Sequence, residues 1–207
     1  MTKIKLCGLT RPEDIEAANE LRPNFVGFVF APKSRRYVAP DAALALRRRL
    51  APGIRAVGVF VKEAPETIAD LRARGIIDVA QLHGGEDADD VAALRRLTDA
   101  PILQAFRIDG EPDLQRARES AADWVLLDNG AGGTGTAFDW SLLKDMDRPY
   151  FLAGGLDPEN VGEAVATLHP YGVDVSSGIE TGGLKDPEKM RAFVRAVRAA
   201  TGKGDVI

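Results

Sequence analysis

Eight short apolar segments alternate along this chain with segments of helical pattern, and this alternation restricts the possible folds more than any other feature. Several segments are almost continuously hydrophobic, as in Phe25–Phe30, which is typical of parallel strands buried on both faces. The helical segments begin with proline and acidic residues, as at Pro12 and Pro187. The predicted strands are Ile4–Cys7, Phe25–Phe30, Ala56–Val61, Val79–His83, Ile102–Arg107, Trp124–Asp128, Tyr150–Ala153 and Val173–Ser176.

Eight strand–helix units in 207 residues predict a (β/α)8 barrel. An open, doubly wound sheet can also hold eight strands, but the short, regular units and the lack of an evident second domain favour the barrel. We expect a single barrel domain over residues 1–207, with residues 202–207 as a frayed tail. Because active sites of such barrels lie at the carboxyl ends of the strands, those ends are where reactive side chains are expected.

Composition excludes several classes of function. The net charge of -4 does not indicate a nucleic-acid-binding protein. No apolar run approaches the roughly 18 residues of a membrane span, and the first residues do not form a signal peptide. One cysteine cannot form an internal disulfide, which fits a reducing cytoplasm. The two histidines, His83 and His169, are far apart, so we expect no metal site. Together with the missing membrane span and signal peptide, the single cysteine predicts a soluble cytoplasmic protein.

Two reactive groups stand at predicted strand ends. Cys7, the single cysteine, ends the first strand, and Asp128 ends the sixth. A thiol at the rim of a barrel can act as a nucleophile or, once deprotonated, as a base. A thiolate and a carboxyl group on opposite sides of a small substrate suit acid–base catalysis. The structural alternatives are a small buried hydrophobe for Cys7 and a turn cap for Asp128.

Glycine-bearing turns follow the last three predicted strands. Phosphate sites of such barrels often use the loops after strands seven and eight together with the amino end of a short helix. Glycines let backbone amides approach phosphate oxygens, and serines add hydroxyl donors. The predicted phosphate-binding residues are Gly133, Thr134, Gly135, Gly154, Gly155, Ser176, Ser177 and Gly178.

Two further side chains follow strands two and four. Arg36 is placed where its guanidinium group can pair with a substrate carboxylate through two hydrogen bonds. His83 ends strand four, and by itself it is more typical of a structural histidine than of a catalytic one.

Taken in order, the motifs resemble those of the phosphoribosylanthranilate isomerase family of tryptophan biosynthesis over essentially the whole chain. The motifs are Lys5-Leu-Cys-Gly-Leu-Thr10, Gln81-Leu-His-Gly84, Leu126-Leu-Asp128, Gly132-Gly-Thr-Gly135 followed by Phe138-Asp-Trp140, Leu152-Ala-Gly-Gly-Leu156 and Val173-Asp-Val-Ser-Ser-Gly-Ile-Glu180. Each motif alone is weak evidence, but the ordered set is specific.

The resemblance implies an enzyme that converts N-(5'-phosphoribosyl)anthranilate to 1-(2-carboxyphenylamino)-1-deoxyribulose 5-phosphate without metal or cofactor. It implies that Asp128 is the general acid, that Cys7 is the general base, and that Arg36 holds the anthranilate carboxylate. His83 and Asp174 would shape the pocket, and the glycine turns would bind the phosphate. The implied partner is therefore a phosphoribosyl compound, and both a monomer and a homodimer stay open.

The chain departs from the family pattern at two places. Ser34-Arg35-Arg36 stands where the family often has Ser-Pro-Arg, so the arginine that faces the substrate is left open. Asn129 stands where the family often has serine.

Three alternative functions also stay open. The first is the related isomerase of histidine biosynthesis, which uses two aspartates. The others are indole-glycerol-phosphate synthase, for which Lys62 is the main candidate lysine, and a catalytically silent phosphate-binding protein.

Overall fold

The strands form a closed parallel barrel in chain order. The computed structural model describes residues 1–128, 143 and 146–202. The first strand pairs with the second, where Cys7 lies beside Gly27, and with the eighth, where Lys5 lies beside Asp174. This ring confirms the predicted barrel and excludes the open sheet. The strands are β1 (Lys3–Cys7), β2 (Phe25–Val29), β3 (Arg55–Phe60), β4 (Val79–Leu82), β5 (Ile102–Arg107), β6 (Trp124–Asp128), β7 (Tyr150–Ala153) and β8 (Gly172–Val175).

Seven α-helices are described around the ring. Proline occupies the first turn of most of them, where its missing N–H costs no hydrogen bond. None of these helices is long and apolar enough to cross a membrane. The helices are α1 (Pro12–Leu21), α2 (Pro40–Arg49), α3 (Pro65–Ala73), α4 (Ala88–Leu97), α5 (Glu111–Glu119), α6 (Val161–Leu168) and α7 (Pro187–Thr201).

Two details differ from the sequence prediction. The pattern after Pro158 predicts a helix over residues 159–168, but α6 begins at Val161, because the Asp157 side chain accepts hydrogen bonds from the next two backbone N–H groups and holds a turn there. A small hairpin that was not predicted, β9 (Glu180–Thr181) and β10 (Leu184–Lys185), follows the barrel. The sequence also predicts a helix over residues 142–146, which lies mostly outside the described residues, as does the tail after residue 202.

The barrel interior changes from apolar to polar along its axis. At the amino ends of the strands, the rings of Phe25, Trp124 and Phe151 contact one another edge to face and close that end. Nearer the carboxyl ends, Lys5 and Gln81 are buried polar side chains. This layer places hydrogen-bonding and charged groups directly beneath the rim where the predicted site residues stand. Such buried polar groups generally need partners within the protein.

Candidate active site

A cavity of about 440 Å³ opens at the carboxyl ends of the strands. Five of the residues predicted for catalysis or substrate binding line it together: Cys7, Arg36, His83, Asp128 and Asp174. They come from strands or loops on different sides of the ring, so the barrel assembles one site from segments that are distant in sequence. A cavity of this size at this end of a barrel suits a drug-sized ligand.

The predicted phosphate-binding residues fall into three groups. Gly154 and Gly155, after β7, and Ser176 and Ser177, after β8, line the same cavity. Gly178 does not line it, but a side chain at this position would collide with the backbone carbonyl of Leu156. Glycine there lets the two loops pack against each other. The remaining predicted residues, Gly133, Thr134 and Gly135, lie outside the described residues.

The loops after β7 and β8 offer backbone donors more than hydroxyl donors. Gly154 and Gly155 both have positive φ angles, 87° and 65°, which favour glycine. The Ser176 hydroxyl donates to the Cys7 carbonyl at 3.2 Å and accepts from Lys185 Nζ at 3.3 Å. Since this hydroxyl already has partners within the protein, the backbone N–H of Ser176 is the better candidate for contact with an anion.

Cys7 sits above a buried ammonium group. Lys5 lies two residues earlier on β1, is fully buried, and pairs with Asp174 Oδ1 at 2.9 Å. Burial raises the pKa of the Cys7 thiol above its ordinary value, although the Lys5 charge acts in the opposite direction. Gly27 of β2 provides the space for the sulfur, because a Cβ at this position would lie 2.7 Å from Cys7 Sγ.

Asp128 lies beside an oriented imidazole. His83 Nε2 is 3.6 Å from Asp128 Oδ2, close enough for an ion pair when the ring is protonated. On the other side of the ring, Gln81 Nε2 lies 2.8 Å from His83 Nδ1. With the amide N–H donating to Nδ1, the neutral ring carries its proton on Nε2, facing the carboxylate. Gln81 therefore orients a donor toward the position predicted for the general acid.

Arg36, and not Arg35, faces the cavity. Arg36 lines it and is 21% exposed, whereas the Arg35 side chain is 60% exposed and does not line it. Glu180 accepts hydrogen bonds from Arg36 Nε at 2.6 Å and from Arg36 Nη2 at 3.0 Å. Lys185 Nζ also donates to Glu180, at 2.7 Å. This pairing fixes the plane of the guanidinium group and leaves its Nη1 atom with no partner among the described residues.

Four residues of the site were not predicted as site residues: Lys5, Gln81, Glu180 and Lys185. Lys5 and Gln81 each precede a predicted site residue by two positions on a strand, and strand alternation puts such pairs on the same face. This two-residue spacing could have identified Lys5 and Gln81 as site residues from the sequence. No comparable signal pointed to Glu180 and Lys185, because their position depends on the unpredicted hairpin β9–β10.

The structure is a (β/α)8 barrel that presents a thiol and a carboxyl group to one cavity, between an arginine and glycine-bearing turns. This combination is typical of barrel enzymes that are suited to proton transfer. The family model described as "N-(5'phosphoribosyl)anthranilate (PRA) isomerase" matches residues 4–196. The chain belongs to this family. It is an enzyme of tryptophan biosynthesis that isomerises an aldose to a ketose.

Individual relatives agree with this assignment. The N-(5'-phosphoribosyl)anthranilate isomerase of Caldanaerobacter subterraneus is 45% identical over 204 residues, covering 96% of this chain and 98% of the relative. The isomerase structure from Thermotoga maritima is 37% identical, covers 96% of this chain and 100% of that one, and has a TM-score of 0.87. Another isomerase structure, 36% identical with a TM-score of 0.84 and the same coverage, was solved in complex with reduced 1-(o-carboxyphenylamino)-1-deoxyribulose 5-phosphate.

Proposed function

We propose that Asp128 and Cys7 perform the proton transfers that convert N-(5'-phosphoribosyl)anthranilate to 1-(2-carboxyphenylamino)-1-deoxyribulose 5-phosphate. The observation that carries this proposal is that both side chains line one cavity, at the carboxyl ends of strands that are not neighbours in the ring. An acid and a base on different sides of a bound substrate can act on two of its atoms in sequence.

In the first step, the protonated Asp128 carboxyl group donates its proton to the ribose ring oxygen. The bond between C1 and this oxygen breaks, and the nitrogen lone pair forms the C=N bond of a Schiff base. Asp128 becomes a carboxylate beside His83, whose Nε2 lies 3.6 Å away. The Nε2–H that Gln81 directs toward this carboxylate stabilises the charge that the step creates.

In the second step, the Cys7 thiolate removes the proton from C2 and becomes a thiol. The C–H electron pair forms a C1=C2 double bond, and the C=N electrons return to nitrogen, which gives an enolamine. The enol oxygen then loses its proton and C1 gains one, so the product ketone has the same atoms as the substrate. The thiolate is the form of the side chain that this step requires.

Anion-binding groups at two sides of the cavity orient the substrate. Arg36, held by Glu180, is the group that we assign to the anthranilate carboxylate. The turns at Gly154-Gly155 and Ser176-Ser177 are the groups that we assign to the phosphate. The relative solved with reduced 1-(o-carboxyphenylamino)-1-deoxyribulose 5-phosphate supports a phosphoribosyl substrate for this chain. We also place the enzyme in the reducing cytoplasm, where a single free thiol stays unoxidised.

The test is a turnover assay with substrate generated in situ and EDTA present, followed by the loss of anthranilate fluorescence. The wild-type chain should accelerate this loss above the spontaneous background. Cys7→Ala and Asp128→Asn should each lower kcat by about 10²-fold or more. Asp99→Asn, whose side chain is exposed, is the matched control and should keep full activity. Near-normal kcat in either site variant would remove that residue from the mechanism.

A further inference from the structure

Behind Cys7, the described part of the barrel contains a cluster of buried charges. Lys5 is completely buried and Lys185 is nearly so, although charged side chains are rarely buried without partners. Lys5 Nζ pairs with Asp174 at 2.9 Å, and Lys185 Nζ pairs with Glu180 at 2.7 Å. Such a cluster costs desolvation free energy, and apolar residues of similar size would often stabilise a fold at least as well. Its presence beneath the rim therefore calls for a chemical reason.

The cluster is not neutral while Cys7 is a thiol. Four cationic side chains share two carboxylates, Asp174 and Glu180: they are Lys5, Lys185, Arg35 and Arg36. Two positive charges are thus uncompensated among these described residues. Deprotonation of the adjacent thiol would offset one of them. The arrangement is electrostatically complementary to the ionised form of the cysteine, not to its neutral form.

Lys5 is the cation best placed to act on the sulfur. Residues 5 and 7 of β1 point to the same face of the strand, so the ammonium group lies in the barrel layer directly beneath the thiol. Lys5 Nζ donates to Asp174 Oδ1 at 2.9 Å, and this pairing holds the ammonium group in that layer. An ammonium group has three N–H donors, so it can serve the carboxylate and the thiolate together.

We propose that Lys5 is a positioning residue for the base: its ammonium group, anchored by Asp174, stabilises the Cys7 thiolate inside the barrel. This inference rests on the proposed role of Cys7 as general base. Lys5 does not line the cavity and therefore acts through Cys7.

Charged groups reach Cys7 from three elements of the described structure. Lys5 on β1 and Lys185 on β10 favour the thiolate, while Asp174 on β8 disfavours it. Burial has the largest effect and leaves the pKa of the thiol above its ordinary value. Of the charged neighbours, Lys5 has the strongest influence. Loss of Lys5 should therefore move the thiol titration further toward alkaline pH.

Because the chain has one cysteine, its titration can be followed directly. Protein labelled with ¹³C at the cysteine Cβ gives one reporter signal, whose chemical shift against pH yields the pKa of Cys7. In Lys5→Met this pKa should rise by about one unit or more, which reduces the thiolate about tenfold near neutral pH. The kcat value should fall by a similar factor and recover at higher pH, with KM unchanged. The matched control, Lys3→Met on the same strand, should titrate like the wild type.

Lys5→Met leaves Asp174 buried without its partner and for that reason risks misfolding. The double variant Lys5→Met/Asp174→Asn removes both charges and keeps the inference testable. Its Cys7 pKa should lie above that of the wild type, because Lys5 influences the thiol more strongly than Asp174 does, but below that of Lys5→Met. An unchanged thiol titration in either folded variant would overturn the inference. Full activity of Cys7→Ala would instead overturn the role of Cys7, so the two failures are distinguishable.

Discussion

Gly27 is the position where the smallest substitution should disturb the base most. In Gly27→Ala, the added Cβ would lie 2.7 Å from Cys7 Sγ and 3.1 Å from Cys7 Cα. Ordinary carbon contacts are roughly 3.5–4.0 Å, so the sulfur must move by roughly 1 Å. Rotation of the thiol alone does not relieve the contact with Cα. The backbone of β1 or β2, which pair at these two residues, must therefore shift as well.

A displacement of about 1 Å at a reacting group can lower a rate by about 10²-fold. We expect kcat of Gly27→Ala to fall by that order, while KM changes less because Arg36 and the turn at Gly154-Gly155 lie elsewhere around the cavity. The extra methyl group should also lower the free energy of unfolding by about 1–3 kcal/mol. The measurements are the turnover assay and urea unfolding of the same preparation.

The matched control is Gly162→Ala on the outer helix α6. A Cβ there meets nothing nearer than the Ala196 carbonyl, at 4.0 Å. Since alanine is favoured over glycine inside a helix, this variant should be more stable by about 0.5–1 kcal/mol and fully active. Wild-type kcat and unchanged unfolding in Gly27→Ala would refute the idea that this glycine exists to make room for the thiol.

Three further outcomes follow from the charges around the cavity. Glu180→Gln should raise KM about tenfold, because Arg36 loses the carboxylate that orients it, and should destabilise the fold by about 3 kcal/mol, because Lys185 stays buried without its partner. Burial favours the neutral form of Glu180, but hydrogen bonds from Arg36 and Lys185 lower its pKa overall. Its ionised form therefore stabilises the fold above the pKa of an unfolded glutamate, and this contribution is lost as the pH falls through the lowered value. The difference in Tm between wild type and Glu180→Gln should shrink on acidification, and a constant difference would contradict the pairing. Since burial raises the pKa of Cys7, kcat should increase with pH above neutrality as the thiolate forms, whereas a flat pH–rate profile would argue against a thiolate base.

The barrel was predictable because each strand is a local pattern. Continuous apolar runs such as that of β2 are readable without knowledge of their neighbours, and eight of them separated by helices leave few topologies. The placement of Cys7 and Asp128 at the rim was predictable for the same reason, since a strand end is a local property and a barrel gathers all such ends at one rim. In each case the fold itself supplies the spatial arrangement.

The charged neighbours were not predictable in the same way. The hairpin that carries Glu180 and Lys185 has two residues in each strand, which is too short for any periodic signal. Lys5 contradicts the general rule that lysine stays at the surface, and only the three-dimensional pairing with Asp174 explains it. The sequence could not show whether Arg35 or Arg36 faces the cavity, because the two residues are adjacent and identical and only their packing distinguishes them.

The seam between β1 and β8 joins the beginning of the barrel to its end. Lys5 meets Asp174, and the Cys7 carbonyl accepts from Ser176, in both cases across 169 residues of sequence. Contacts over such separations form late, because a long loop must close before they contribute. A chain still being synthesised has its thiol from the start but not the surroundings that this thiol needs. Turnover therefore begins only when the last strand closes the ring, so catalysis reports on completion of folding.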